Sequence, residues 1–146
     1  MKEGEVRPVA ICVFRKDDLI LVGEYSDAVK GEVFYRPLGG TIEFGEYGHE
    51  TVAREIGEEL GSEVNNLRYI CALENIFTYE GKRGHEIVLV YEGELVDKTM
   101  YVRTIIEGLE DKVPLKALWK PLSFFQDRCA PLYPEGLLEL LMKTRT

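Results

Sequence analysis

Apolar residues in this chain come in short runs separated by polar turns, and the period of the runs switches between that of a strand and that of a helix. "PVAICVF" (8–14) and "LILVGEY" (19–25) flank the polar "RKDD", which predicts two strands joined as a hairpin. "GEVFYRP" predicts a third, short strand that stops at Pro37. In "HETVAREIGEELG" the spacing becomes helical: Val52, Ala53, Ile56 and Leu60 share one face, and Gly61 is placed to close the helix in a left-handed conformation. "LRYICALENIFTYEG" and "HEIVLVYEGELV" predict two long strands joined through the turn at 80–84. The second is apolar on both faces, as in a strand covered on each side. Residues 99–110 fit helix or strand equally. "LKALWKPL" predicts a late strand, and "YPEGLLELLMK" a C-terminal helix with Pro134 in its first turn. Strands interleaved with helices predict an α/β fold, a mixed sheet held between helices.

Composition narrows the picture. The 146 residues carry no repeat, no low-complexity segment and no Gly/Ser/Pro-rich linker, so the expectation is a single domain over 1–146. The formal net charge of −8 argues against a nucleic-acid polymer as partner, because phosphate backbones are held by basic patches. A small phosphorylated ligand is compatible with it, provided a divalent cation bridges the two negative partners. Cys12, Cys71 and Cys129 are scattered and lack metal-ligand spacing, as buried thiols in a reducing compartment would be. "VAICVF" is far shorter than a signal-peptide core, and no stretch approaches membrane-span length. The expected location is the cytoplasm, with no membrane partner; a homodimer is compatible with all of this.

The helix carries the chemistry. Glu55, Glu58 and Glu59 stand at i, i+3 and i+4, so their carboxylates share one side, well away from the Val52–Ile56–Leu60 stripe, with Glu59 nearest to it. Such a helix docks on a sheet and presents three carboxylates outward. Clustered hard oxygens suit Mg²⁺, Mn²⁺ or Ca²⁺ and not zinc. Taken alone, an acidic solvated face explains the cluster equally well. Three neighbours shift the balance. Gly39–Gly40 allow close backbone approach to a ligand, Gly45 allows a sharp turn before the helix, and Arg54 can orient a carboxylate by pairing with Glu50 or Glu58.

At this point the segment resembles the signature of the Nudix hydrolases (the MutT-like superfamily). Its glycine, glutamate, Arg-Glu-aliphatic, Glu-Glu and closing glycine places hold Gly40, Glu46, Arg54, Glu55, Ile56, Glu58, Glu59 and Gly61. One place departs: the final aliphatic position is Ser62, with Val64 available to supply the apolar contact. The resemblance implies a Nudix-type α/β/α sandwich with a mixed β-sheet and a loop–helix–loop motif, a single Nudix hydrolase domain over 1–146. It implies hydrolysis of the pyrophosphate in a nucleoside diphosphate linked to another moiety, with Mg²⁺ or Mn²⁺. By position it implies Glu55, Glu58 and Glu59 as metal ligands with the Gly39 carbonyl, and Glu46 and Arg54 as their supports. The contrasting expectation, a nucleotide-binding or regulatory Nudix-like module without turnover, is disfavoured because no signature carboxylate is missing.

The general base is not fixed by the signature. Glu58 is the first choice, and Glu86, Glu107, Glu110 and Asp111 are outside candidates, each more simply read as a surface residue. Arg36, just before the glycine pair, is a candidate for a distal phosphate; Lys82 and Arg83 read as solvated cations. Tyr79, seventeen residues past Ser62, resembles a tyrosine of dinucleoside polyphosphate hydrolases and is a candidate for substrate binding. Phe77, Tyr91 and Trp119 could stack a base, with core packing the simpler reading. His49 and His85 lack any partner pattern.

Overall fold

The structure, a computed structural model, describes residues 3–144. Two sheets lie side by side. One is four-stranded, in the order β5(Leu38–Thr41), β1(Val6–Val13), β7(Lys82–Leu95), β6(Val64–Tyr79). It is mixed, since β1 runs parallel to β7 and antiparallel to β5. The other is antiparallel, with β3(Leu19–Asp27) between β9(Val113–Pro121) on one side and β2(Arg15–Lys16) with β4(Glu32–Arg36) on the other, and β8(Ile105–Glu110) at the far edge.

Strand alternation divides the interior in two. Ala10 and Cys12 of β1 face a core with Val52, Ile56 and Leu60 of α1(Gly48–Leu60), while Val9, Ile11 and Val13 face a second core with Leu122 and Phe125 of α2(Leu122–Gln126) and Leu137 and Leu141 of α3(Leu137–Lys143). Helices therefore cover both faces, as the interleaved pattern predicts. The double-sided β7 fits the same plan: Tyr91 enters the first core, Val88 and Val90 the second.

Several local expectations are corrected. β1 and β3 do not form a hairpin: they belong to different sheets, and the "RKDD" turn instead folds β2 back on β3, with Asp17 at φ 54°. A β1 that is apolar on both faces is worth more at the centre of a sheet, between β5 and β7, than at a hairpin edge. Ala53 is exposed, and Thr51 and Glu59 complete the buried face of α1. Pro134 precedes α3, because Gly136 at φ 87° interrupts the backbone just before Leu137. Residues 99–110 resolve into a short 3₁₀ turn, Lys98–Tyr101, followed by β8.

Other expectations hold. Gly61 closes α1 at φ 73°, donating its N–H to the Gly57 carbonyl at 2.9 Å. Ser62 is buried; its hydroxyl donates to the Glu63 carbonyl and accepts from the Asp97 amide, and Val64 packs on the first core in place of the absent aliphatic residue.

Candidate functional site

The loop before α1 is built around one arginine. Arg54 donates from Nε and Nη2 to both oxygens of Glu46 (2.7 and 3.0 Å), from Nη1 to Glu55 (2.8 Å), and from Nη2 to the Thr41 carbonyl (3.1 Å). Glu58 and Glu43 lie farther from it, at 3.6 and 3.7 Å. Glu50 is not its partner; that carboxylate accepts the Tyr47 amide at the helix start instead. Glu46 also accepts the Thr51 hydroxyl and the Glu43 amide, and these donors, Arg54 first, hold its pKa down to about 2. Gly45, at φ 86°, provides the turn. Arg54 thus ties the loop to the helix through a bidentate pair.

The glycine pair is explained by packing on both sides. A Cβ on Gly39 would come within 2.1 Å of the Ala10 carbonyl oxygen on β1, and one on Gly40 within 2.4 Å of the Glu55 carboxyl carbon. Only bare backbone lets β5 fit between β1 and the carboxylate of α1.

The three helix carboxylates are not equivalent. Glu58 is 60 % exposed, Glu55 is half-buried, and Glu59 is 3 % exposed. The expectation of three outward carboxylates therefore fails at Glu59, whose place two turns from Val52 takes it under the helix. Both its oxygens are buried without a hydrogen-bond partner among the described residues. Burial raises its pKa to about 9, and the charges of Glu110 and Glu55 push the same way. The Gly39 amide is near enough to oppose this in part but falls short of hydrogen-bond geometry. Burial also raises the pKa of Glu55, although Arg54 works against it. An uncompensated buried carboxylate is costly and calls for a proton or a cation. Among the described residues, no three Asp, Glu, His or Cys side chains already converge as a metal site. Glu55 turns to Arg54 and Glu58 points outward.

Glu55 and Glu58, but not the buried Glu59, line a polar cavity of about 260 Å³ together with Gly39, Gly40, Glu110 and Asp111. Of the outside candidates, Glu110 and Asp111 reach it from the β8–β9 turn. Glu110 accepts a hydrogen bond from the Tyr25 hydroxyl at 3.3 Å. Glu107 is exposed on β8 opposite Lys116 and lies outside this cavity. Glu86 is fully buried, with its oxygens engaged by Arg7, Arg36 and Asn75.

A second cavity, of about 270 Å³, adjoins the first, and the two share Arg7, Arg36, Tyr25, Glu110 and Asp111. Its far wall is aromatic. Phe34 stacks on Tyr25 (5.5 Å between centroids) and meets Tyr79 and Tyr133 edge-on (5.9 and 5.4 Å). Of the candidates for substrate, Arg36, Tyr79 and Phe77 line this second cavity, whereas Lys82 and Arg83 do not. Tyr91 is buried in the first core, and Trp119 stacks on Tyr101, donating its indole N–H to the Met100 carbonyl. His49 stacks on Tyr47. Sequence reasoning missed Arg7, Tyr25, Phe34 and Tyr133. The alternation in "EVFYR" offered a signal, but strand 4 is too short to tell its cleft face from its core face.

Residues 5–127 match the family model described as the NUDIX domain. Over 66 residues, 45% of this chain, the sequence is 39% identical to the NAD-capped RNA hydrolase NudC of Enterobacter sp. (strain 638), and the matched stretch spans 25% of that protein. The fold superposes on a NUDIX hydrolase from Nitrosomonas europaea with a TM-score of 0.66 at 15% identity, covering 94% of this chain and 87% of the other. It also superposes on a MutT NUDIX hydrolase from Burkholderia pseudomallei with a TM-score of 0.59 at 19% identity, covering 97% and 99%. At these identities the structural likeness is one of fold.

Proposed function

The chain belongs to the NUDIX family of pyrophosphohydrolases, and from that premise we propose that its cleft hydrolyses the pyrophosphate of a small nucleoside diphosphate derivative with the help of Mg²⁺ or Mn²⁺. The observation that carries this reading is Glu59. Its buried, unpartnered oxygens stand beside Glu55 and Glu110, and the available donors are all oxygens, the set that suits a hard divalent cation. Glu55, Glu58 and Glu59 would hold the ion, with the Gly39 backbone beside them. When bound, the ion neutralises pyrophosphate charge and lowers the pKa of a coordinated water.

The remaining roles belong to the chain itself. Arg54 is a positioning residue that fixes the Glu55 carboxylate and, through Glu46, the loop. Glu58, exposed at the mouth, is placed to accept the proton of the attacking water. Arg36 supplies positive charge to a phosphate, and Tyr79 is part of the aromatic wall. Residues 1–146 are read as one Nudix domain. The three free thiols suit the cytoplasm, and no helix among the described residues is long and apolar enough to cross a membrane.

The test is product release from a panel of nucleoside diphosphate derivatives with Mg²⁺, with Mn²⁺ and with chelator. An NAD-capped RNA belongs on the panel because the partial relative is named for one. Turnover that requires the metal is expected, with small substrates preferred to the capped RNA. Nucleotide binding without turnover on any member would instead make the chain a binding module.

A further inference from the structure

We infer that the wall between the two cavities is a phosphate clamp: Arg7 and Arg36, mounted on the buried carboxylate of Glu86, hold the phosphate of a nucleotide whose base lies against Phe34. This deepens the reading above and rests on it for the identity of the full substrate, but the clamp itself binds without metal.

The clamp is assembled from distant parts of the chain. Arg7 lies directly opposite Glu86 in the parallel β1–β7 pairing, and Asn75 lies opposite it in the β6–β7 pairing. Arg36 reaches the same carboxylate from the end of β4, at 3.6 Å. Glu86 is fully buried, and two guanidiniums on one carboxylate leave a net positive charge facing the cleft.

Both cations retain spare donors. Arg7 donates from Nη2 to Glu86 and its side chain stays 34 % exposed, and among the described residues the Arg36 guanidinium donates no hydrogen bond, its ion pair to Glu86 being a long one. A planar guanidinium with free N–H groups matches phosphate oxygens. Of the described residues, these are the arginines that line both cavities. They share the wall between the cavities with Glu110 and Asp111, which would repel an unescorted phosphate, and line the same cavity as the aromatic residues, which offer ring faces and edges to a base. At about 270 Å³ the whole cavity lies near the lower limit of ligand pockets, roughly 300 Å³, a size that suits a small ligand.

The test is calorimetric binding of the four ribonucleoside 5′-monophosphates and their nucleosides, in chelator, to wild type, Arg7→Ala, Arg36→Ala and Glu86→Gln, with thermal unfolding run alongside. Wild type should bind at least one monophosphate about 10- to 100-fold more tightly than its nucleoside, the range of one or two charge-assisted hydrogen bonds. Each arginine variant should lose most of that advantage while keeping its affinity for the nucleoside. Glu86→Gln should do the same, and if it fails to fold the arginine variants decide alone. With a substrate that is turned over, KM should rise more than kcat falls. A monophosphate bound no better than its nucleoside, or bound equally well by wild type and both arginine variants, overturns the clamp. Phosphate selectivity without hydrolysis of any panel member would sink the pyrophosphohydrolase reading and leave the clamp standing; hydrolysis without selectivity would do the reverse.

Discussion

Gly40→Ala is a one-carbon change whose effect can be worked out from the coordinates. The added methyl would sit 2.4 Å from the Glu55 carboxyl carbon and 2.5 and 2.8 Å from its two oxygens. Ordinary contact begins near 3.4 Å, so the carboxylate must retreat by about 1 Å. The Gly40 backbone is not in the left-handed region, so alanine itself introduces no strain there. What moves is the end of a side chain, already held by Arg54 at 2.8 Å, and the retreat pulls it from that anchor. A misplacement of about 1 Å in a reacting constellation costs on the order of 10²-fold in rate, or about 2.7 kcal/mol of barrier. Stability should change by less than about 1 kcal/mol, a few degrees in Tm for a domain of this size. Initial rates at saturating Mg²⁺, with thermal unfolding measured in parallel, read both numbers. Glu55→Asp withdraws the carboxylate by one methylene, so Gly40→Ala should cost less in that background than in wild type. Wild-type turnover in Gly40→Ala, or the same loss in both backgrounds, would refute the argument that this glycine exists to make room for Glu55.

Further outcomes are expected elsewhere in the molecule. Glu58→Gln should lower kcat by about 10²- to 10⁴-fold, the range of general-base catalysis, with Tm unchanged because the side chain is exposed; near-normal turnover would remove Glu58 from the mechanism. The Glu59 carboxyl, at about 9 in the folded protein against about 4.3 in an unfolded chain, takes up a proton on folding between those pH values. In chelator, stability should therefore be greatest below about pH 4 as far as this group is concerned, and fall as pH rises towards 9. Thermal unfolding from pH 5 to 9 should show that decline, Glu59→Gln should flatten it, and Mg²⁺ should stabilise wild type most at the alkaline end. Ile56→Ala, at a fully buried position between α1 and the sheet, should cost about 2–5 kcal/mol in urea unfolding; a smaller loss would mean α1 is not docked by this stripe.

What the sequence revealed depended on how local the information was. The α1 helix, its Gly61 cap and the Glu–Arg–Glu–Glu spacing all lie within a few turns of one another, and a helical wheel already put Glu59 nearest the apolar stripe. That it is buried outright depends on β8, whose Gly108 has no Cβ and sits against the Glu59 backbone. The β1–β3 hairpin failed because alternation says that a strand is central but not which strand it joins. Arg7, Asn75 and Glu86 meet only through the β1–β7 and β6–β7 registers, so Glu86 read as a surface candidate when it is the most buried acid near the cleft. Arg54 was recognised, but its partner Glu46, eight residues before it and just after the Gly45 turn, lies beyond the i±4 pairs that helix geometry offers.

The central claim, that the acidic face of α1 holds divalent cations for pyrophosphate cleavage, is tested most directly by measuring Mn²⁺ binding and turnover on the same samples across a titration of free Mn²⁺. Wild type, Glu55→Gln and Glu59→Gln would be compared. The account predicts that turnover in wild type rises with Mn²⁺ occupancy and that both variants shift the two curves together to higher metal concentration. Turnover that persists in chelator, or Mn²⁺ binding that is the same in wild type and both variants, would contradict it.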